Sequence, residues 1–175
     1  MPNYRRARIE GATWFFTVNL LQRRNNDLLV RYIDVLRDSI RRVWRVHPFA
    51  IDAWVVLPEH THCVWTLPPG DADFSSRWRL LKTFFSRALP ADEYCSSLRV
   101  LRGERGIWQW RYWEHLIRDE EDFRRHVDYV HINPVKHGLV ANVGDWPYST
   151  FHRAVRNGLY PPDWAGDRAL EVPGD

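Results

Sequence analysis

The chain has little of what marks a secreted or membrane-embedded protein. Its 175 residues include two cysteines, Cys63 and Cys95, far apart and in no paired spacing. That excludes both a disulfide framework and a cysteine-rich zinc site. No stretch approaches the roughly 18–20 consecutive apolar residues of a membrane span, and no apolar run follows the arginine-rich start as a signal peptide requires. A reduced, cytoplasmic setting with no membrane partner is the expectation. Lysine is nearly missing: Lys82 and Lys136 are two of 25 basic residues, and the rest are arginine. Arginine's planar fork suits bidentate phosphate contacts and stacking, where lysine offers a point charge.

What is present is a chain 45% hydrophobic, long enough for one domain with a proper core. It has ten tryptophans; buried positions account for some, and exposed ones beside arginine would suit unpaired bases. The net charge of +3 is unevenly spread. Ten arginines before residue 48 face Glu10, Asp27, Asp34 and Asp38, whereas after residue 156 Arg168 faces Asp163, Asp167, Glu171 and Asp175. A basic front with an acidic tail fits a polyanion-binding protein. We divide the chain into a single domain over 1–160, with a basic N-terminal arm, and an acidic tail over 161–175.

Along the chain, β-branched and aromatic residues 13–20 predict a buried strand. Apolar residues at helical period predict one helix over 28–46, with Arg37, Arg41 and Arg45 as an outer stripe. Residues 49–57 and the run after Pro58-Glu59 read as a strand pair, although Pro-Glu is not the usual two-residue hairpin turn. Asp73 is placed to cap a helix to about Leu89. Residues 90–106 read as a loop, and 107–117 contain a strand. Asp119 caps an acidic-started helix that Pro134 would stop near Ile132. The order β-α-β-β-α-β-α predicts an α+β fold, a ferredoxin-like antiparallel sheet with helices packed on one face.

His60 and His62 head the third strand. Alternation points both rings the same way, with Cα atoms roughly 6.5 Å apart, so two imidazoles can converge on one divalent ion. By itself an H-x-H pattern is as compatible with two surface histidines. The last strong helix holds Tyr129 and Asn133, four apart on one helical face. A tyrosine that attacks a phosphodiester needs an in-line approach and a nearby cation, and an amide oxygen one turn away could join two histidines on that cation. His126 shares the face as a candidate base.

Across the chain, NYRR (3–6), GATWFFTVNL (11–20), AWVVLPEHTHCVWTLP (53–68), DFSSRWR (73–79), RYWEHLIRD (111–119), DYVHINPVKHGLV (128–140) and DWPYSTFHRAVRNGLYPPDWAG (145–166) resemble the REP-associated tyrosine transposases. These are bacterial single-tyrosine HUH nucleases related to the smallest insertion-sequence transposases. The similarity spans roughly residues 3–166. It implies an enzyme that cleaves and rejoins single-stranded DNA next to repetitive extragenic palindrome hairpins, through a 5′-phosphotyrosine intermediate. It also implies Tyr129 as nucleophile, His60 and His62 as the HUH pair, and Asn133 where related transposases carry glutamine as third metal ligand. The implied ion is Mg2+ or Mn2+, and the implied location is with the nucleoid. Thr61 departs from the apolar residue usual between the two histidines.

Tyr4, Arg5, Arg6 and Arg8 are the candidate DNA contacts. The acidic tail is a candidate cover over the basic site. The rival reading is a non-catalytic single-strand nucleic-acid-binding module of the same fold. A metallo-β-lactamase-type site fails because Val64 and Trp65 stand where Asp and His are needed. Monomer and dimer both stay open, as do mobile-element and domesticated roles.

Overall fold

Alternation along the strands decides which residues line each side of the sheet. The computed structural model describes residues 7–173. Strands β1 (Thr13–Asn19), β2 (Ala50–Val56), β3 (His60–Thr66) and β4 (Trp113–Leu116) form one antiparallel sheet in the order β2-β3-β1-β4. This is the ferredoxin-like order, and it puts β1 and β3 at the centre. On one side, Trp14, Phe16, Cys63 and Trp65 pack against α2 (Ile33–Val46) and α3 (Phe74–Ala88), with Trp65 stacked on Trp78 at 4.4 Å. On the other, Phe15, Val55 and Val64 pack against Val127, Tyr129 and Val130 of α5 (Glu120–Lys136).

The sheet is therefore covered on both faces, not on one. Five consecutive residues of β1, Trp14 to Val18, are buried, which a half-solvated strand would not show. Helical periodicity reveals that a helix has an apolar face but not which side of a sheet receives it.

Two boundaries differ from expectation for local reasons. The 28–46 helix is two pieces, α1 (Leu28–Arg31) and α2, broken at Tyr32 (φ −110°, ψ 36°). The bonds Tyr32 N–H to Leu28 O and Leu36 N–H to Tyr32 O keep the apolar stripe in phase across the break, so the pattern does not register it. Helix α5 runs through Pro134 to Lys136. An interior proline costs about 3 kcal/mol, but Ile132, Pro134 and Val135 are all buried, and that packing holds the turn helical. Gly138, at φ +67°, then ends it: the Gly138 and Leu139 N–H groups donate to the Val135 and Pro134 carbonyls, a left-handed cap that glycine adopts without strain.

The remaining elements are short. Helix α4 (Ser97–Leu101) lies in the expected loop, and α6 (Phe151–Arg156) follows a 3-10 turn. Asp73 and Asp119 cap α3 and α5 as their sequence positions predict, accepting from the Ser76 and Asp122 N–H groups. No helix among the described residues is long and apolar enough to cross a membrane.

Candidate metal and nucleophile site

His60 and His62 lie on the side of the sheet that faces α5, with ring centroids 4.9 Å apart. The tight Pro58-Glu59 turn that starts β3 is closed by Leu57 N–H donating to His60 O at 2.9 Å. Each ring is held by its Nδ1. His62 Nδ1 is 2.9 Å from the Thr17 hydroxyl, and His60 Nδ1 is 2.9 Å from Glu59 Oε1. Arg23 in turn donates to Glu59 at 3.3 Å. With both Nδ1 atoms so engaged, Nε2 is the nitrogen on each ring that could take a metal, the arrangement that outer partners impose at metal-binding histidines.

The electrostatics agree with that geometry. Burial lowers the His62 pKa well below the usual value, reinforced by the neighbouring His60 and His137 rings, so it stays a neutral donor. Burial of Glu59 opposes ionisation, but the hydrogen bond and charge of His60, then Arg23, outweigh it and hold the carboxyl at about 2. His62 Nε2 and Asn133 Oδ1 are buried with no hydrogen-bond partner. Such orphans are costly unless something occupies the space they face.

Tyr129 meets these histidines within one chain. Its ring is 5.3 Å from the His62 ring and edge-on to it, and it is fully buried. Lys136 places its ammonium 4.7 Å from the Tyr129 ring centre. Asn133, one turn along α5, is also fully buried, and its Nδ2 makes only a long 3.5 Å bond to Tyr129 O.

Sequence reasoning missed His137. Its ring is 4.9 Å from that of His60, and donor atoms of His60, His62 and His137 all lie within 4.8 Å of one another. The signal was present, since 129, 133 and 137 recur every four residues, but ending the helix at Pro134 hid it. Thr17 likewise shows in the sequence only as a strand residue. Thr61 has a local explanation: it faces the opposite core, accepting from Trp54 Nε1 at 2.6 Å and donating to Val55 O at 2.7 Å.

His126 belongs to a different group. It stacks on His115 at 4.5 Å, and its Nδ1 is 2.8 Å from Asp122 O, while His115 Nε2 is 2.9 Å from Asp122 Oδ2. Those partners hold it at the β4 edge of the sheet, with Phe15 touching both His126 and Tyr129. Of the candidate DNA contacts, Arg8 is exposed, and Tyr4, Arg5 and Arg6 lie outside the described residues. On α2, Arg37 and Arg41 are paired with Asp34 and Asp38 of their own helix.

The tail reaches this site. Val172 is buried in the cluster that contains Tyr129 and Val130, Lys136 donates to Leu170 O, and Arg125 holds Glu171 O at 2.7 Å.

No protein-family model matches the chain. It is 57% identical over 167 residues to the REP-associated tyrosine transposase of Escherichia coli, covering 95% of this chain and 93% of that protein. It is 44% identical to a putative REP-associated tyrosine transposase of Haemophilus influenzae, over 100% and 99% of the two chains. A solved REP-associated tyrosine transposase bound to a REP hairpin superimposes with a TM-score of 0.85 at 54% identity, covering 100% of this chain and 98% of that one. With sequence identity and fold in agreement over nearly the whole length, the chain belongs to the REP-associated tyrosine transposases.

Proposed function

We propose that this protein is a metal-dependent single-strand DNA endonuclease and transposase that cleaves and rejoins DNA next to REP hairpins through a 5′-phosphotyrosine. The observation that carries the reading is the Tyr129 ring 5.3 Å from His62, itself beside His60, with both histidine Nδ1 atoms already engaged. The relative bound to a REP hairpin supports the choice of DNA. The partner is single-stranded DNA carrying such hairpins, met through Arg8 and the arm residues Tyr4, Arg5 and Arg6.

His60, His62 and Asn133 would hold the ion, Mg2+ or Mn2+. The buried, unpartnered His62 Nε2 and Asn133 Oδ1 fit that role. Mg2+ prefers oxygen donors, whereas imidazole nitrogens suit Mn2+ better. When bound, such an ion neutralises phosphate oxygens and orients the scissile group.

Tyr129 Oη attacks the phosphorus, a P–O bond to tyrosine forms, and the bond to the 3′ oxygen breaks, leaving a 3′-OH. The bond energy is retained in the link, so the 3′-OH can attack in reverse and rejoin the strand. Lys136, whose ammonium lies 4.7 Å from the Tyr129 ring centre, would offset negative charge as it develops during the attack. The buried state of Tyr129 requires that its cover, which includes the segment around Val172, move aside for DNA.

The test is incubation of a hairpin oligonucleotide carrying a single-stranded flank with the wild type and with Tyr129→Phe, with and without chelator. A covalent protein–DNA adduct is expected only with the wild type plus metal. An adduct formed by Tyr129→Phe would sink the assignment. Binding without any adduct, indifferent to chelator, would favour the non-catalytic module.

A further inference from the structure

A groove of about 940 Å3 runs between α3 and the segment 99–112, on the side of the sheet away from α5. Its walls carry five basic side chains against one carboxylate, Glu104. Arg105 is committed inside the protein to Glu93, and Lys82 donates to Gln109 O at 2.9 Å, which ties α3 to the far wall. Arg79 and Arg87 stand exposed on α3, eight residues or about 12 Å of helix rise apart. Opposite them Trp110 is 73% exposed, its ring presented to solvent where no core claims it.

That combination selects for a ligand class. Exposed cations along a track recognise a phosphate backbone, and an exposed indole recognises the face of an unpaired base. A duplex hides its base faces in the helical stack and offers nothing to Trp110. The chemistry therefore fits a single strand.

The groove also leads somewhere. Its far wall continues into β4, one of the two edge strands of the sheet. Trp108 bridges Leu20, and Gln109 N–H donates to Asn19 O at 3.0 Å, with Asn19 directly across from His60. Farther along, Trp113 pairs with Thr17, and Thr17 pairs on its other side with His62. Trp113 is 45% exposed and lies on the α5 side, two strand spacings or about 10 Å from the His62 backbone. A strand leaving the groove at Trp110 would turn round the sheet edge and reach the histidines by way of Trp113.

We infer that this groove is a binding track for single-stranded DNA, with Arg79 and Arg87 on the backbone, Trp110 stacking a base and Trp113 marking the exit towards Tyr129. The destination rests on the nuclease reading; the track itself rests only on the groove.

The test is fluorescence anisotropy with a labelled fifteen-residue oligothymidylate, which has no hairpin. Trp110→Ala should weaken binding about tenfold, and Arg79→Ala/Arg87→Ala should weaken it and flatten its salt dependence. Arg41→Ala on α2 should bind as the wild type. All four residues are exposed, so unchanged thermal unfolding checks the fold. A wild type that ignores the oligothymidylate overturns the inference, as do groove variants that bind like the wild type or no worse than Arg41→Ala. The two readings fail separately. Loss of oligothymidylate binding in the groove variants, with no Tyr129 adduct on the hairpin substrate, would keep the track and remove the nuclease. The converse pattern would do the opposite.

Discussion

The Thr17 hydroxyl lies 2.9 Å from His62 Nδ1, one strand across the sheet and fully inside the protein. This bond fixes which nitrogen of His62 faces the site, so Thr17 acts on any bound ion without touching it. Thr17→Val keeps the shape and removes the bond. Mn2+ affinity measured by calorimetry should fall about 10- to 100-fold, with the far-ultraviolet circular dichroism unchanged. Unaltered Mn2+ affinity would mean that packing alone orients the ring.

The third ligand can be assigned by substitution. Asn133 offers a buried, unpartnered amide oxygen, and His137 an imidazole whose donor atom lies within 4.8 Å of those of His60 and His62. Asn133→Ala should lower affinity for both Mg2+ and Mn2+, because it removes the oxygen donor. If His137 also coordinates, His137→Ala should lower Mn2+ affinity more than Mg2+ affinity, since nitrogen suits the softer ion. Equal calorimetric isotherms for His137→Ala and the wild type would exclude it from the site.

The tail shares a buried cluster with Tyr129 and is held by Lys136 and Arg125. Deleting residues 167–175, and leaving Trp164 and Gly166 in place, should speed formation of the covalent adduct several-fold. The cover would then no longer have to be displaced. A slower or equal rate in single-turnover gels would make the tail a structural strap and nothing more.

Arg77 is the most heavily bonded buried charge among the described residues. It is 1% exposed and donates to Asp71, Asp73 O, His47 O and Pro48 O, joining α3 to the start of β2. Arg77→Met should destabilise the fold by about 3–5 kcal/mol in urea unfolding, because its acceptors are stranded. The Arg77 hydrogen bond holds the Asp71 carboxyl below its ordinary value. With the folded pKa depressed, its contribution to stability is complete above the unfolded pKa near 3.9 and is lost as pH falls through the folded one. Asp71→Asn should therefore be less stable than the wild type at pH 7, and the gap should close on acidification towards pH 3. A gap that widens with acid would reverse the sign and refute the pairing.

Much of this was written in local patterns. Continuous aromatic and β-branched runs placed the strands, Asp73 and Asp119 marked two helix starts, and the spacing of His60 with His62 and of Tyr129 with Asn133 put each pair on one face. These features depend on backbone geometry a few residues long, so one chain suffices to read them.

What the sequence by itself determined was the strand and helix order and the residue types able to do the chemistry. Only the tertiary structure decided that helices cover both faces of the sheet, that α5 survives Pro134, and that His137 and Thr17 meet the histidine strand. Each of those depends on burial against residues distant in sequence, such as Ile132 and Val135 holding the turn around Pro134 closed against α6 and its neighbours. No local periodicity encodes that packing energy, and it outweighs the local cost of an interior proline.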